Sequence, residues 1–245
     1  MKTARFVSTL LAAGIALAPA APVAAQSSDQ RPTVAIMYFD NNSFGKDAKD
    51  YEALGRGVAD LMITDLASNP GIRVVDRAQL DKLIKEQDLG SAQRVDQETA
   101  ARVGKLLGAR YMVFGSLIVD PKGMVTLTGK AVDVETSRIA YVESVTGKAE
   151  AMMDVIRQMT DKMNKGMKLP DLPRRTAMVP SSGSQQVAQA PLPQKVPFAA
   201  VMLYSKALKA SNEGRKDEAV TLFKKCVTDF PEFEKPKEEL KKIGA

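Results

Sequence analysis

Histidine and tryptophan are absent from this chain of 245 residues, and cysteine occurs once, at Cys226. Without histidine, the usual general base beside a Ser or Cys nucleophile is missing, and so are the His/Cys clusters that hold zinc or copper. A lone cysteine forms no internal disulfide, so the fold must be held by its core. Aromatic residues make up 5% of the chain, too few for a platform that stacks bases or sugars. The composition therefore predicts no enzyme, no cofactor and no metal site.

What is present is the composition of a globular protein, 44% hydrophobic and 26% charged. The formal charge of +6 is mild, and two of those charges, Lys2 and Arg5, lie at the N-terminus. Lys2 and Arg5 precede the apolar run Phe6–Ala21, and Val23, Ala24 and Ala25 offer small residues before Gln26. Those three parts read residues 1–25 as a signal peptide. The expected product is exported to the periplasm, which argues against a nucleic-acid partner. It has no membrane-spanning helix after the signal and no cysteine there to carry a lipid.

The middle of the chain, Gly71 to Gly115, reads as strand, helix, helix, strand. Ile72–Val75 and Tyr111–Phe114 are short apolar runs, as in strands buried on both faces. Between them, Leu80, Leu83, Ile84 and Leu89 form one helical stripe, and Ala100, Val103, Leu106 and Leu107 a second. Asp76 and Asp96 stand where a carboxylate accepts the free N–H groups of a first helical turn, and Gly108 supplies a stop.

Upstream, Thr33–Phe39 is nearly continuous apolar sequence and hence a central strand. A helix from Asp50 to about Ser68 follows, with Leu54, Val58, Leu61, Met62 and Leu66 inward. Gly55 and Gly57 weaken that helix, so one of them is expected to admit a strand backbone at close range. Downstream, Tyr111–Val119, Val125–Val134 and Ile139–Thr146 read as strands. Turns at Asp120–Gly123 and Glu135–Arg138 join them, and Gly129 beside the slip at Ala131–Val132 suggests a bulge. A helix from Glu150 to about Lys165 turns Met152, Val155, Ile156, Met159 and Met163 inward, as core filler rather than a copper site.

The expected fold is α/β over residues 26–167, a mixed sheet flanked by helices. Residues 168–197, with six prolines and a Ser/Gln run, read as a disordered linker. Residues 198–245 read as a small all-α unit.

The segments VAIMYFDNNS, GRGVADLMITDL, VVDRAQLDKLIKEQDL and VGKLLGARYMVFGSLI, in this order, resemble the curli production assembly/transport (CsgG-like) family over most of Thr33–Lys165. The same core is similar to periplasmic activators of penicillin-binding proteins and to the N-terminal domain of TolB-like proteins. The resemblance implies a non-enzymatic envelope protein that acts by protein–protein contact in assembly, secretion or cell-wall regulation. A component of a curli-type outer-membrane secretion channel is the alternative. Against that alternative, channel members insert two long barrel-forming hairpins and carry a lipidated cysteine, whereas the turns here are about four residues long. In the last segment, Ala207, Gly214, Ala219, Phe223 and Pro231, with Ala210 and Cys226, resemble one tetratricopeptide repeat, capped by Leu240 and Ile243. One repeat leaves apolar surface, which implies docking on the first domain, self-association or capture of another protein.

The contact residues nominated are Asn41, Asn42 and Phe44 in the polar loop after the first strand, Arg77 and Glu86, and Leu203, Tyr204 and Phe223 in the helical unit. For Asp76 with Arg77 the favoured reading is nonetheless a helix cap and a surface ion pair, and for Glu86 a solvated helix face. The expected partners are envelope proteins, with a homo-oligomer as a further expectation.

Overall fold

A computed structural model describes residues 29–86, 96–172 and 196–244. The signal peptide, Leu89 and most of the linker lie outside the described residues. Met1–Gln30 and Arg31–Ala245 are separate units, and the elements below belong to the second.

In chain order they are β1 (Thr33–Asn41), α1 (Leu54–Ala67), β2 (Arg73–Val74), α2 (Arg77–Glu86), α3 (Gln97–Leu106), β3 (Tyr111–Val119), β4 (Met124–Asp133), β5 (Arg138–Lys148), α4 (Met152–Gly166), α5 (Phe198–Asn212), α6 (Lys216–Asp229) and α7 (Lys235–Ile243). The strands form one mixed sheet in the order β2-β1-β3-β4-β5. The pairs β1–β2 and β1–β3 are parallel; β3–β4 and β4–β5 are antiparallel.

The apolar run of β1 is explained by cover on both faces. Val34 and Ile36 enter a core with α1 and α4, while Ala35 and Met37 enter a second core with α2 and α3. The α1 stripe Leu54, Val58, Leu61, Met62 and Leu66 is wholly buried, as are Met152, Ile156, Met159 and Met163 of α4. Asp96 caps α3 through Thr99 N at 2.7 Å, and Asp76 Oδ1 accepts from Ala78 N at 2.8 Å. The register slips where the phase of β4 slips, at Ala131/Val132, and Ala140 of β5 is the unpaired residue.

Several boundaries differ from expectation. Asp50 lies in a short 3₁₀ turn, Ala48–Tyr51, and α1 begins only at Leu54. The expected strand Ile72–Val75 pairs only through Arg73 and Val74, at the sheet edge. Leu106 is 55% exposed rather than inward. Gly104 takes the inward place, because a Cβ there would lie 2.5 Å from Val134 Cγ2.

Helices α5–α7 continue the core on α1. Ala200, Val201, Tyr204, Ala207, Phe223, Cys226 and Phe233 are buried in the same cluster as Val58, Leu61 and Met62. The two glycines of α1 show why the helix fits between sheet and helices. A Cβ on Gly55 would lie 1.8 Å from Phe39 O, and one on Gly57 would lie 1.9 Å from Ser205 Oγ. Gly55 thus admits the strand backbone, and Gly57 admits α5. Of the three fates open to the helical unit, docking is the one observed.

Candidate interaction surface

Two polar regions stand out, one buried and one open. The buried one begins at Tyr38 on β1. Its hydroxyl donates to Asp81 and accepts from Asn212 Nδ2 at 2.6 Å. The guanidinium centres of Arg56 and Arg77 stand 4.2 and 4.9 Å from its ring centroid, within cation–π reach. Arg77 Nε is 3.6 Å from Asp60 Oδ1, and Tyr204 donates to Asp60 Oδ2 at 2.7 Å. Burial is the main cause that pushes Tyr38 up to about 12, with Arg77 opposing and Asp81 assisting. Burial and then Asp60 hold Tyr204 well above the usual tyrosine range. Burial disfavours the Arg77 cation, yet Asp60 and Tyr38 outweigh it and the net shift is upward. Both tyrosines stay protonated at neutral pH, so this cluster offers hydrogen bonds and charge pairing, not proton transfer. It ties β1, α1, α2 and α5 together.

This placement corrects two expectations. Arg77 is not in a surface ion pair with Asp76; its guanidinium is largely buried and pairs with Asp60. Tyr204 and Phe223 are wholly buried, with ring centroids 5.9 Å apart and Phe233 5.2 Å from Tyr204. Their apolar surface is covered by the chain itself, so an outside partner does not reach it. Leu203 is half-buried on α5. Glu86 is exposed at the end of α2, with Lys82 Nζ at 3.8 Å.

The open region lies at the carboxyl end of β1. Asn42 N donates to Leu117 O and Val119 N donates to Ser43 Oγ, both at 2.8 Å. Asn41 Oδ1 accepts from Ser43 N at 3.0 Å, and its Nδ2 donates to Ala48 O at 2.8 Å. These bonds hold the loop against β3, and at its tip Phe44 is 59% exposed. A large apolar side chain displayed on a fixed backbone is suited to contact, because little loop entropy is lost on binding.

Beside the loop is a cleft of about 200 Å³ lined by Asp40, Asn42, Phe114, Gly115, Ser116, Thr128 and Lys130. It opens on a sheet face that α2 and α3 cover over β1, β3 and the Val132 end of β4. The rest of that face is a ladder of hydroxyl pairs, Thr126–Thr146 and Thr128–Ser144, each 2.9 Å apart. Val142 and Ile139 stand beside them, 50% and 40% exposed. Asn41, Asn42 and Phe44 are therefore brought together, and Arg77, Glu86 and Leu203 are not part of this surface. Sequence reasoning missed Thr128, Lys130 and Val142; the alternation of β4 and β5 was the signal, since it marks one face as wet.

Among the described residues, no group of three or more His, Cys, Asp or Glu is placed to hold a metal ion. Among them also, no helix is long and apolar enough to cross a membrane.

No curated protein is similar enough to count as a match. Part of the chain is similar to solved structures at low identity. The LpoB C-terminal domain from Salmonella enterica is 18% identical, with 50% of this chain and 87% of that chain covered and a TM-score of 0.34. The LpoB C-terminal domain from Escherichia coli is 19% identical, with 51% and 89% covered and a TM-score of 0.35. TolB from Acinetobacter baumannii is 17% identical, with 57% and 28% covered and a TM-score of 0.36. Residues 19–119 match the family model described as curli production assembly/transport component CsgG, so the resemblance read from the β1–β3 segments holds.

Proposed function

We propose that this chain is an exported, non-enzymatic envelope protein that acts by protein–protein contact. Its place is the periplasm, peripheral to the outer membrane, and its work is assembly, secretion or cell-wall regulation. The observation that carries this reading is Phe44, exposed at the tip of a hydrogen-bonded loop beside an uncovered sheet face. The match of residues 19–119 to an assembly/transport component supports the same class of work. In this reading residues 26–167 carry the contact surface, and residues 198–245 brace α1 from behind. The partner is another envelope protein that buries Phe44.

The channel alternative is less well supported. β3, β4 and β5 are joined by short turns and pair with one another in one sheet, with no long hairpin between them to build a barrel wall.

The test is photocrosslinking in intact cells from position 44, with exposed Lys224 as the control position. One discrete envelope protein captured from 44 and absent from 224 is the expected outcome. Equal capture from both positions, or none from 44, overturns the reading. A channel component would instead purify as a detergent-dependent ring.

A further inference from the structure

β5 is an edge strand of 11 residues, and an edge of this length is a template for another strand. Its inner side is paired with β4 from Arg138 to Lys148. Among the described residues, no loop or helix backbone bonds to Tyr141–Lys148 from the other side. One side chain guards the edge: Glu143 Oε1 accepts from Ser144 N at 3.2 Å, a bond that an added strand replaces. The strand contains no proline, and its only irregularity, the extra residue Ala140, lies near one end. From Tyr141 onward the pairing with β4 is regular.

The side chains of this stretch divide cleanly. Tyr141 and Gly147 lie against α4, at Gly166 and Val155 respectively, and Glu143 is held by Lys162 Nζ at 3.1 Å. Val142, Ser144 and Thr146 stand on the open face with their partners on β4. A strand added at the edge would continue both faces.

We propose that the occupant of this edge is a second copy of the chain, paired β5 to β5 in antiparallel register about Val145. The observation that selects a second copy is the self-complementarity of the edge. In this register Ser144 of each copy faces Thr146 of the other. Both hydroxyl rows then run unbroken across the junction, from Thr128 and Ser144 of one copy to Thr146 and Thr126 of the other. Thr–Ser pairs of this kind stabilise neighbouring strands. Glu143 faces Gly147 of the second copy, where no side chain competes with its bond to Lys162. Val142 faces the long side chain of Lys148. No like charges stand opposite one another. The register about Glu143 sets that carboxylate against itself, and like charges directly opposite are unfavourable. The register about Ser144 sets Val142 against Thr146 and breaks one hydroxyl row. The unpaired Ala140 bends the strand and ends the pairing.

The proposal is independent of the Phe44 contact, which uses the loop after β1. It is tested on the full chain by light scattering during size exclusion across a concentration series. A concentration-dependent dimer is expected. Ser144→Lys with Thr146→Lys sets lysines opposite lysines in the dimer, while the monomer loses only two exposed hydroxyl pairs, and should weaken the dimer roughly tenfold or more. Ser144→Glu with Thr146→Lys sets opposite charges face to face in this register only, and should restore the dimer. Thermal melting verifies that both variants fold. A chain that stays monomeric at every concentration, or a dimer that the double lysine variant leaves intact, overturns the proposal. Failure of the Glu/Lys variant to recover the dimer overturns the register.

Discussion

Tyr204 and Asp60, 144 residues apart in the chain, share a hydrogen bond of 2.7 Å inside the core. The bond explains how a carboxylate is tolerated on the buried side of α1. Asp60 has Arg77 on one oxygen and the Tyr204 hydroxyl on the other, so its charge is matched within the interior. Tyr204→Phe keeps the ring and removes one of the two partners. It should cost about 1–3 kcal/mol, the range for a buried bond to a charged acceptor. Asp60→Ala also leaves the Arg77 cation buried without its counter-charge and should cost more, about 3–5 kcal/mol. Urea denaturation at pH 7 measures both. Equal losses in the two variants would refute the view that Arg77 depends on Asp60.

Gly57 gives a steric version of the same junction. Its missing side chain is replaced by Ser205, whose Oγ donates to Val201 O at 2.6 Å. Gly57→Ala brings a methyl group to within 1.9 Å of Ser205 Oγ. The helix propensity of alanine favours the variant by about 1 kcal/mol, yet overpacking costs about 1–3 kcal/mol, and the stiff neighbours place this site at the upper end. A net loss of stability is expected. Adding Ser205→Gly removes the obstructing atoms and should recover part of it. A stabilised Gly57→Ala protein would mean that α5 sits further from α1 than described.

Those two residues also mark where the sequence stops being legible. The apolar stripe of α1, the strand lengths from Tyr111 onward and the Asp96 cap follow from local rules of period and capping. Asp60 obeys the same rules as a polar residue on a helix, and those rules place it in water. Only Tyr204, far along the chain, makes it an interior residue. Arg77 was misplaced for the same reason, since a charge next to a cap reads as solvated until the third partner is known. In the open region Asn41, Asn42 and Phe44 were legible because turn-forming residues flank an aromatic. Lys130 and Thr128 were not, because a wet strand face specifies polarity without naming a site. Leu106 failed because Gly104, the residue that sits inward, carries no hydrophobic signal.

Alkaline pH should destabilise the protein in two stages. Burial pushes the Cys226 thiol from 9.0 to about 12 and the Tyr38 phenol from 10.0 to about 12. Tyr204 is raised well above 10.0. In each case the unfolded chain loses its proton at lower pH than the folded one. The stabilisation is therefore complete below the unfolded value and is lost as pH rises toward the folded value. Cys226 contributes first, from about pH 9, and the tyrosines steepen the decline above about pH 10. Each group adds a slope of up to about 1.4 kcal/mol per pH unit. Cys226→Ala should delay the onset of the decline by about one pH unit. A stability profile that is flat from pH 8 to 11, or an onset that Cys226→Ala does not move, would contradict the burial described for these groups.

Phe44 separates stability from contact. Its side chain is mostly in solvent, and its loop is held by Asn41, Asn42 and Ser43, not by the ring. Phe44→Ala should change the unfolding free energy by no more than about 0.5 kcal/mol, as for surface positions generally. If the loop is the contact element, the same substitution removes an aromatic anchor, and such anchors cost about 2 kcal/mol or more when truncated. Capture of the partner in cells, probed from neighbouring Lys46, should then fall by at least roughly thirtyfold in apparent affinity. Ser43→Ala breaks the loop's bond to Val119 N without touching the ring, and it should weaken capture by a smaller factor by letting Phe44 wander. A Phe44→Ala chain that captures the same protein as well as the unaltered chain would move the contact surface away from this loop.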